Sequence, residues 1–322
     1  MTSPTTRTPP SAASEAAPVV PWKPLAAVAF TLLMWASAFV AIRHLGHDVP
    51  PGALSLGRLL VAVVALGVML QFQRNRRWPT LREWPLIVLG GVTWIGIYNL
   101  TLNEAERRID AGTAALLVQI GPILVALLAT FFLGERLTRW LLAGLAVGFA
   151  GVVVIGRASS TGDNGDLLGV VLAVVAALTF AVGVITQKKL LGAMSALEMT
   201  FWYYVVGAVV CLPWAGELVE VVGDSSAANL GWIVFLGVFP SAIAFTTWAY
   251  ALSHSDAGKF AMTTFLVPFI TTLIAWLALG EVPAALAFVG GALCIVGVLL
   301  TRRTTRPVAQ APESPGPVQT RS

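Results

Sequence analysis

Residues 110–157 read DAGTAALLVQIGPILVALLATFFLGERLTRWLLAGLAVGFAGVVVIGR, and residues 256–303 read DAGKFAMTTFLVPFITTLIAWLALGEVPAALAFVGGALCIVGVLLTRR. Laid over each other at a shift of 146 residues, the two stretches need no gap and are identical at 15 of 48 positions. Asp110-Ala111-Gly112 meets Asp256-Ala257-Gly258, Pro122 meets Pro268, and Leu133-Gly134-Glu135 meets Leu279-Gly280-Glu281. Gly144 and Gly151 meet Gly290 and Gly297. Apolar segments often match by chance, but Asp, Pro and Glu in register are not a product of apolar composition. The match extends outward. Gly91, Thr101 and Ala105 fall on Gly237, Thr247 and Ala251 at the same shift, and Ala36 and Leu45 fall on Ala181 and Leu190 at a shift of 145. The chain is an internal duplication, and the period of the repeat sets the architecture.

Composition identifies the solvent. Of 322 residues, 57% are apolar and 11% charged, against about 45–50% and about 25% in a soluble domain. So little charge cannot cover a water-facing surface, which excludes a soluble enzyme or a disordered regulator and points to lipid. The net charge of +4 is too small and scattered for a nucleic-acid footprint. Cys211 and Cys294 lie inside apolar runs, so neither a disulfide framework nor a zinc spacing is present.

A membrane helix needs roughly 20 apolar residues. Ten such runs are predicted, at 25–43, 51–72, 84–103, 111–133, 139–156, 166–187, 197–216, 229–251, 258–279 and 283–301, separated by short polar breaks. The leader 1–22 and the tail 304–322 read as disordered ends. With the N-terminus inside, fifteen Lys and Arg fall in inner segments, led by Arg74, Arg76, Arg77 and Arg82. Four fall outside: Arg43, Arg107, Arg108 and Arg157. The positive-inside rule then places both termini in the cytoplasm, in a multi-pass protein of the cell membrane.

Each copy (25–157 and 166–303) holds five spans, and a unit with an odd number of crossings re-enters the membrane from the other side when repeated. The expected fold is therefore an all-α polytopic membrane protein, ten transmembrane helices in two inverted five-helix repeats, an architecture common among secondary transporters. The words Pro122…Leu133-Gly134-Glu135…Gly144…Gly151 and their second copy, Pro268…Leu279-Gly280-Glu281…Gly290…Gly297, resemble the EamA-type permeases of the drug/metabolite transporter superfamily. The resemblance covers residues 25–303. It implies export or exchange of small metabolites, such as amino acids or drug-like compounds, by alternating access. No phosphate loop is present, since Asp256-Ala257-Gly258-Lys259-Phe260 lacks the first glycine and the hydroxyl, so ATP is not expected to drive the chain. No cofactor or metal is implied. Two rival classes are a membrane receptor or scaffold and a membrane-embedded enzyme. The enzyme would need convergent nucleophiles or acid–base pairs that the sequence does not show, and a static scaffold needs no two-state symmetry.

Candidate cargo residues follow from chemistry inside the spans. Pro122 and Pro268, at matching mid-span positions, should interrupt their helices and free the carbonyls of Val118 and Thr264. Paired interruptions are the best sequence pointer to a transporter's binding site. Gln119, Thr263 and Thr264 lie within a turn of those kinks. Arg58 is the one charge read well inside a span, at an insertion cost of ~2.5–3.5 kcal/mol. It can recognise an anionic cargo group, snorkel to the interface, or bond a neighbouring helix. Asn99, with Trp94 and Tyr98, offers hydrogen bonds and aromatic faces, as do Trp35 and Tyr203, although such aromatics also belong to interfacial belts. Gly144, Gly148 and Gly151, with Gly290, Cys294 and Gly297, form small-residue faces suited to close packing within the chain or to a homodimer. Gly134 and Gly280 should close helices, with Glu135 and Glu281 near the positive end of the next.

Overall fold

The computed structural model describes residues 22–45, 48–109, 117–159, 166–279 and 285–301. Ten helical spans and no strand occur among the described residues. The first half comprises α1 (Trp22–Leu45), α2 (Pro51–Gln71), α3 (Trp84–Arg108), α4 (Gly121–Leu133) and α5 (Arg139–Ser159). The second comprises α6 (Leu167–Leu190), α7 (Ala196–Asp224), α8 (Ala227–Ser253), α9 (257–279) and α10 (Ala285–Thr301). The expected disordered tails fall outside the described residues, except Trp22, which opens α1. Gly280, Glu281 and Asp110-Ala111-Gly112 also lie outside them.

The solvent logic of a soluble protein is inverted. Large apolar side chains such as Phe131 and Leu277 are more than 80% exposed, while Arg58, Asn99, Asn103, Gln119 and Ser241 are buried. An apolar exterior suits lipid, and polar groups inside can bond one another. Helix ends follow local chemistry. Ser195 and Glu198 form a capping box at the start of α7, the Asp166 carboxylate accepts from Leu168 and Gly169 at the start of α6, and Gly134 closes α4 at φ +69°, a left-handed conformation that glycine adopts without Cβ strain.

Two boundaries depart from expectation. α3 continues five residues past 103, to Arg108. α7 continues to Asp224 through a 3-10 turn, Leu212–Trp214, where Pro213 is tolerated because a first-turn N–H has no helical partner. This extension is amphipathic: Val221 joins the buried cluster that contains Ala53 and Leu54, whereas Glu217, Glu220 and Asp224 are exposed.

The duplication is visible in backbone irregularities. α3 contains a π-helical segment at Gly91–Ile97, and α8 contains one at Gly237–Ile243, 146 residues later. At each, the leading glycine permits a close crossing. A Cβ on Gly91 would lie 2.9 Å from the Tyr203 carbonyl oxygen and 2.7 Å from Val206, and one on Gly237 would lie 2.8 Å from the Arg58 carbonyl oxygen and 2.5 Å from Val61. Arg58 and Val61 stand 145 residues before Tyr203 and Val206. Thus α2 crosses α8 as α7 crosses α3.

The small-residue faces of α5 and α10 meet each other. A Cβ on Gly151 would sit 2.5 Å from the Gly290 carbonyl oxygen, and one on Gly144 would sit 2.6 Å from that of Gly297. Of the two readings of these faces, packing within the chain is the one these contacts meet.

The two ends of the bundle differ in charge and bonding. At the basic end, the Arg77 side chain donates to the Ala193 carbonyl, and the Arg77 N–H donates to Glu198 at 2.8 Å. Lys188 donates to the Leu252 carbonyl at 2.9 Å and to that of Ser255. At the opposite end, Arg108 pairs with Asp166 at 3.1 Å, which holds that carboxyl below its usual range, and Asn229 donates to Asp48 at 3.1 Å.

Candidate functional site

Between the halves lies a cavity whose non-atom space, counted together with its opening to solvent, is about 770 Å³. It is lined by α1 from Trp35 to Ile42, by Arg58 of α2, and by α3 from Trp94 to Asn103. Val118 and Gln119 ahead of α4, Phe180 of α6, Phe245 of α8, and Thr264 and Val267 of α9 complete the wall. Both repeats therefore contribute.

The floor is aromatic and faces the basic end. Trp35 packs on Trp248 with ring centroids 4.8 Å apart, Trp94 on Phe245 at 5.0 Å and edge-on to Phe180 at 5.3 Å, and Phe260 backs Trp248 at 4.4 Å. Beneath it the halves are tied by Glu135. This carboxylate accepts the N–H groups of Ala257 and of Gly258 (2.9 Å) at the positive N-terminus of α9. Glutamate after the helix-closing glycine is expected near the next helix in sequence; its bonds go instead to a helix of the opposite repeat.

The interruptions at Pro122 and Pro268 are helix restarts rather than bends in continuous helices. Pro122 occupies the first turn of α4, immediately after a turn at Gln119-Ile120. Pro268 is the second residue of the α-helix Val267–Leu279, which follows a 3-10 segment, Met262–Leu266. A proline is best tolerated in a first turn, so the chain changes helix type ahead of each. The Thr264 carbonyl, released four residues before Pro268, accepts the Gln119 Nε2 amide at 2.7 Å. The break in one repeat is thereby satisfied by a side chain at the break of the other.

Arg58 is 7% exposed. Its Nε and Nη2 donate to the Ser241 hydroxyl at 3.2 and 3.0 Å. Ser241 sits in the π segment of α8, beside Pro240, whose carbonyl accepts the Trp35 indole N–H at 3.2 Å. Among the described residues no carboxylate lies within ion-pair distance of Arg58. A guanidinium carries five N–H donors, so a hydroxyl leaves most of them, and the whole charge, unmatched. Asn99 donates to the Ile95 carbonyl inside the π segment of α3 at 2.8 Å, and Asn103 donates to Ser55 at 2.9 Å.

The structure gathers Arg58, Asn99, Gln119, Thr264 and Trp35 on one cavity. It does not bring Thr263 or Tyr203 there. The Thr263 hydroxyl is spent on the Phe260 carbonyl. Tyr203 is 1% exposed, donates to Thr186 at 2.8 Å and packs against Gly90. It is the repeat counterpart of Arg58, and it faces scaffold. Sequence reasoning missed Ser241, Asn103, Phe180 and Phe245. One usable signal was present: Phe180 falls on Trp35 at the shift of 145, and Phe245 falls on Asn99 at 146.

The chain matches the EamA-like transporter family twice, over residues 22–157 and 167–303. It is 38% identical over 290 residues (90% of this chain, 97% of the other) to the "probable terminal-alkyne amino-acid exporter" of Streptantibioticus cattleyicolor. It is 32% identical to an uncharacterized transporter of Bacillus subtilis, covering 83% and 87% of the two chains. A "probable amino-acid metabolite efflux pump" of Escherichia coli is 24% identical over 84% of this chain and 91% of its own. A solved crystal structure superposes with a TM-score of 0.71 at 20% identity, covering 87% of this chain and 96% of the other, and shares the fold. With ten apolar helices, two copies of one domain and a cavity where they meet, the chain belongs to the EamA-like transporter family and is a multi-pass membrane transporter, not an enzyme.

Proposed function

We propose that the protein is a secondary carrier that exports or exchanges amino-acid-like metabolites by alternating access, with its basic end and both termini in the cytoplasm. The observation that carries the cargo class is Arg58: a buried cation that, among the described residues, has no carboxylate within ion-pair distance, on a cavity built by both repeats. Leaving such a charge unmatched inside the protein is costly, and a cargo carboxylate would complete it with charge-assisted hydrogen bonds. The aromatic floor suits an apolar side chain on that cargo. Two relatives are named as amino-acid or amino-acid-metabolite exporters, which favours the same class.

The arrangement also supports two-state access. The basic end is sealed by the aromatic floor and the Glu135 bonds, while the cavity lining extends the other way to Ile42, Leu102 and Asn103. The positive-inside bias makes this an outward-facing shape. Matching crossings at Gly91 and Gly237 give the two repeats equivalent hinges about which the opposite end can close.

The test is counterflow in proteoliposomes with a panel of labelled amino acids and related metabolites, combined with single cysteines at Gln119 and Thr264. Cargo should exchange without ATP, and the cysteines should change reagent accessibility from each side when cargo is present. Folded protein that moves no member of the panel, or labelling that ignores cargo, would overturn the reading.

A further inference from the structure

The extension of α3 to Arg108 brings into the span a carboxylate that the predicted boundary at 103 left outside. Glu106 stands three residues after Asn103 and seven after Asn99, so all three share one face of α3, and Asn99 and Asn103 line the cavity. Glu106 is half-buried, one turn beyond that lining on the side away from the aromatic floor. The charges of Glu106 and Arg58 are within electrostatic range of each other, with the Tyr98 hydroxyl within range of both. Yet among the described residues neither is in an ion pair, whereas the neighbouring Glu104 is matched by Arg107 and Arg108.

The spacing fits a dipolar ligand. The Asn103–Ser55 bond of 2.9 Å sets α3 and α2 at one level. Arg58 lies three residues further towards the floor, and Glu106 three residues further from it. At 1.5 Å rise per residue, the two positions are about 9 Å apart along the axis. With Arg58 on the cavity wall and Glu106 one turn beyond it, that spacing matches a single small molecule held by one charge-assisted contact of about 2.8 Å at each end. A direct ion pair would have closed that gap and removed both charges from use.

We propose that Glu106 is a specificity-determining residue that receives the cargo's ammonium group while Arg58 receives its carboxylate, so the site selects zwitterions over simple anions and simple amines. This rests on the reading of Arg58 as the anion site, and it adds the opposite pole. In the second repeat the positions of Arg58 and Glu106 are held by Tyr203 and Leu252, so the dipolar pair exists once, and a zwitterion enters in one orientation.

The experiment is competition binding on the full-length protein in nanodiscs. The probes are apolar L-α-amino acids, including L-phenylalanine and L-leucine, each beside its deaminated acid and its decarboxylated amine. The wild-type protein should prefer each amino acid to its deaminated acid. In Glu106→Gln, which keeps the shape and removes the charge, that preference should fall about 10-fold, with affinity for the deaminated acid equal or improved. In Arg58→Gln the preference over the decarboxylated amine should fall instead, which separates the two poles. Glu106→Gln retaining the full preference for the amino acid would overturn the assignment of Glu106 and leave Arg58 standing. An Arg58→Gln protein with unchanged affinity for every acid would overturn the underlying anion site. Absence of binding by every probe in the wild type would overturn both.

Discussion

The two repeats share a skeleton and differ in what they show the cavity. Gly91 and Gly237 cross their partners in the same way, and both spans carry a π segment at the same repeat position. The chemistry diverges at equivalent places: Arg58 against Tyr203, Asn99 against Phe245, Asn103 against Ala249, and Gln119 against Phe265. The first repeat supplies the charge, the amides and the rings of Trp35, Phe39, Trp94 and Tyr98, and the second supplies Phe180, Phe245 and the released Thr264 carbonyl. In the proposed alternating-access cycle, equal scaffolds would supply two interconvertible shapes, while unequal side chains give one asymmetric site. Symmetry would then belong to the motion and asymmetry to recognition.

The largest effect should fall where the halves are most alike. At the α5–α10 seam, glycine Cα atoms face backbone oxygens, and a valine at Gly151 would push a branched side chain into a carbonyl 2.5 Å from its own Cβ. Overpacking of a core costs about 1–3 kcal/mol, and here the obstacle is backbone, which cannot rotate away. Gly151→Val and Gly290→Val should lower the yield of monodisperse protein by similar large factors, measured by size-exclusion chromatography. A severe loss from one and tolerance of the other would break the claim that the seam is symmetric.

Next should come a pair with opposite outcomes. Arg58→Gln removes the unmatched cation and should reduce transport of anionic or zwitterionic cargo by about 10- to 100-fold, the size of a lost charge-assisted bond. Tyr203→Phe, at the equivalent position, deletes only the bond to Thr186. It should cost about 1 kcal/mol of stability and leave transport within about twofold. Flux assays on both, normalised to folded protein, test whether recognition sits in the first repeat alone.

Much of this architecture is readable from residues, and the reason is specific. The ten runs, the repeat and the closing glycine at Gly134 depend on apolar length, on register and on local backbone chemistry. Arg58, Gln119, Asn99 and Thr264 stand out because polar groups are rare in the spans. Which face of a span turns inward is harder to read. In lipid, an outward residue is as apolar as an inward one, so Phe180 and Phe245 differ from Phe131 in the sequence only by falling on Trp35 and Asn99 in the repeat. Tyr203 and Thr263 were singled out by residue type, but their neighbours decide their roles: Thr186 and the Phe260 carbonyl engage them in the scaffold. The π segments have no side-chain signature beyond Pro240, so Ser241 could not be aimed at Arg58 in advance. Glu106 was missed because α3 runs one turn past the last apolar residue, with the charged side chains themselves carrying the helix to Arg108.

A smaller effect is expected at the junction of the two breaks. Gln119→Leu removes the amide that pairs with the Thr264 carbonyl at 2.7 Å and leaves a buried acceptor unmatched, at a cost of about 1–3 kcal/mol. The thermal midpoint should fall. Cargo exchange should also slow, because the bond joins the repeats across the cavity. Gln119→Glu keeps the size but turns the donor into an acceptor, so it should be worse than Leu. If Glu is better tolerated than Leu, the cross-repeat bond is not what Gln119 provides.

The smallest effect concerns the connecting loops, where the repeats differ in sign. The α2–α3 loop carries Arg74, Arg76, Arg77 and Arg82, whereas the α7 extension at the equivalent place carries Glu217, Glu220 and Asp224. In the basic loop the Arg77 guanidinium grips Glu83 at 2.6 Å and, with the Thr80 N–H, holds that carboxyl at about 2 instead of its ordinary 4.5. A carboxyl with a depressed folded value stabilises the fold above its ordinary value, and it loses that contribution as pH falls from 4.5 towards 2. The Arg77 side chain is 37% exposed, so screening keeps the gain small. Wild type should therefore lose about 1–2 °C more than Glu83→Gln across that acid window, and the difference should shrink in high salt. Identical acid profiles would mean that Arg77 is held by Ala193 and Glu198 alone, and that the basic loop serves orientation in the membrane rather than stability.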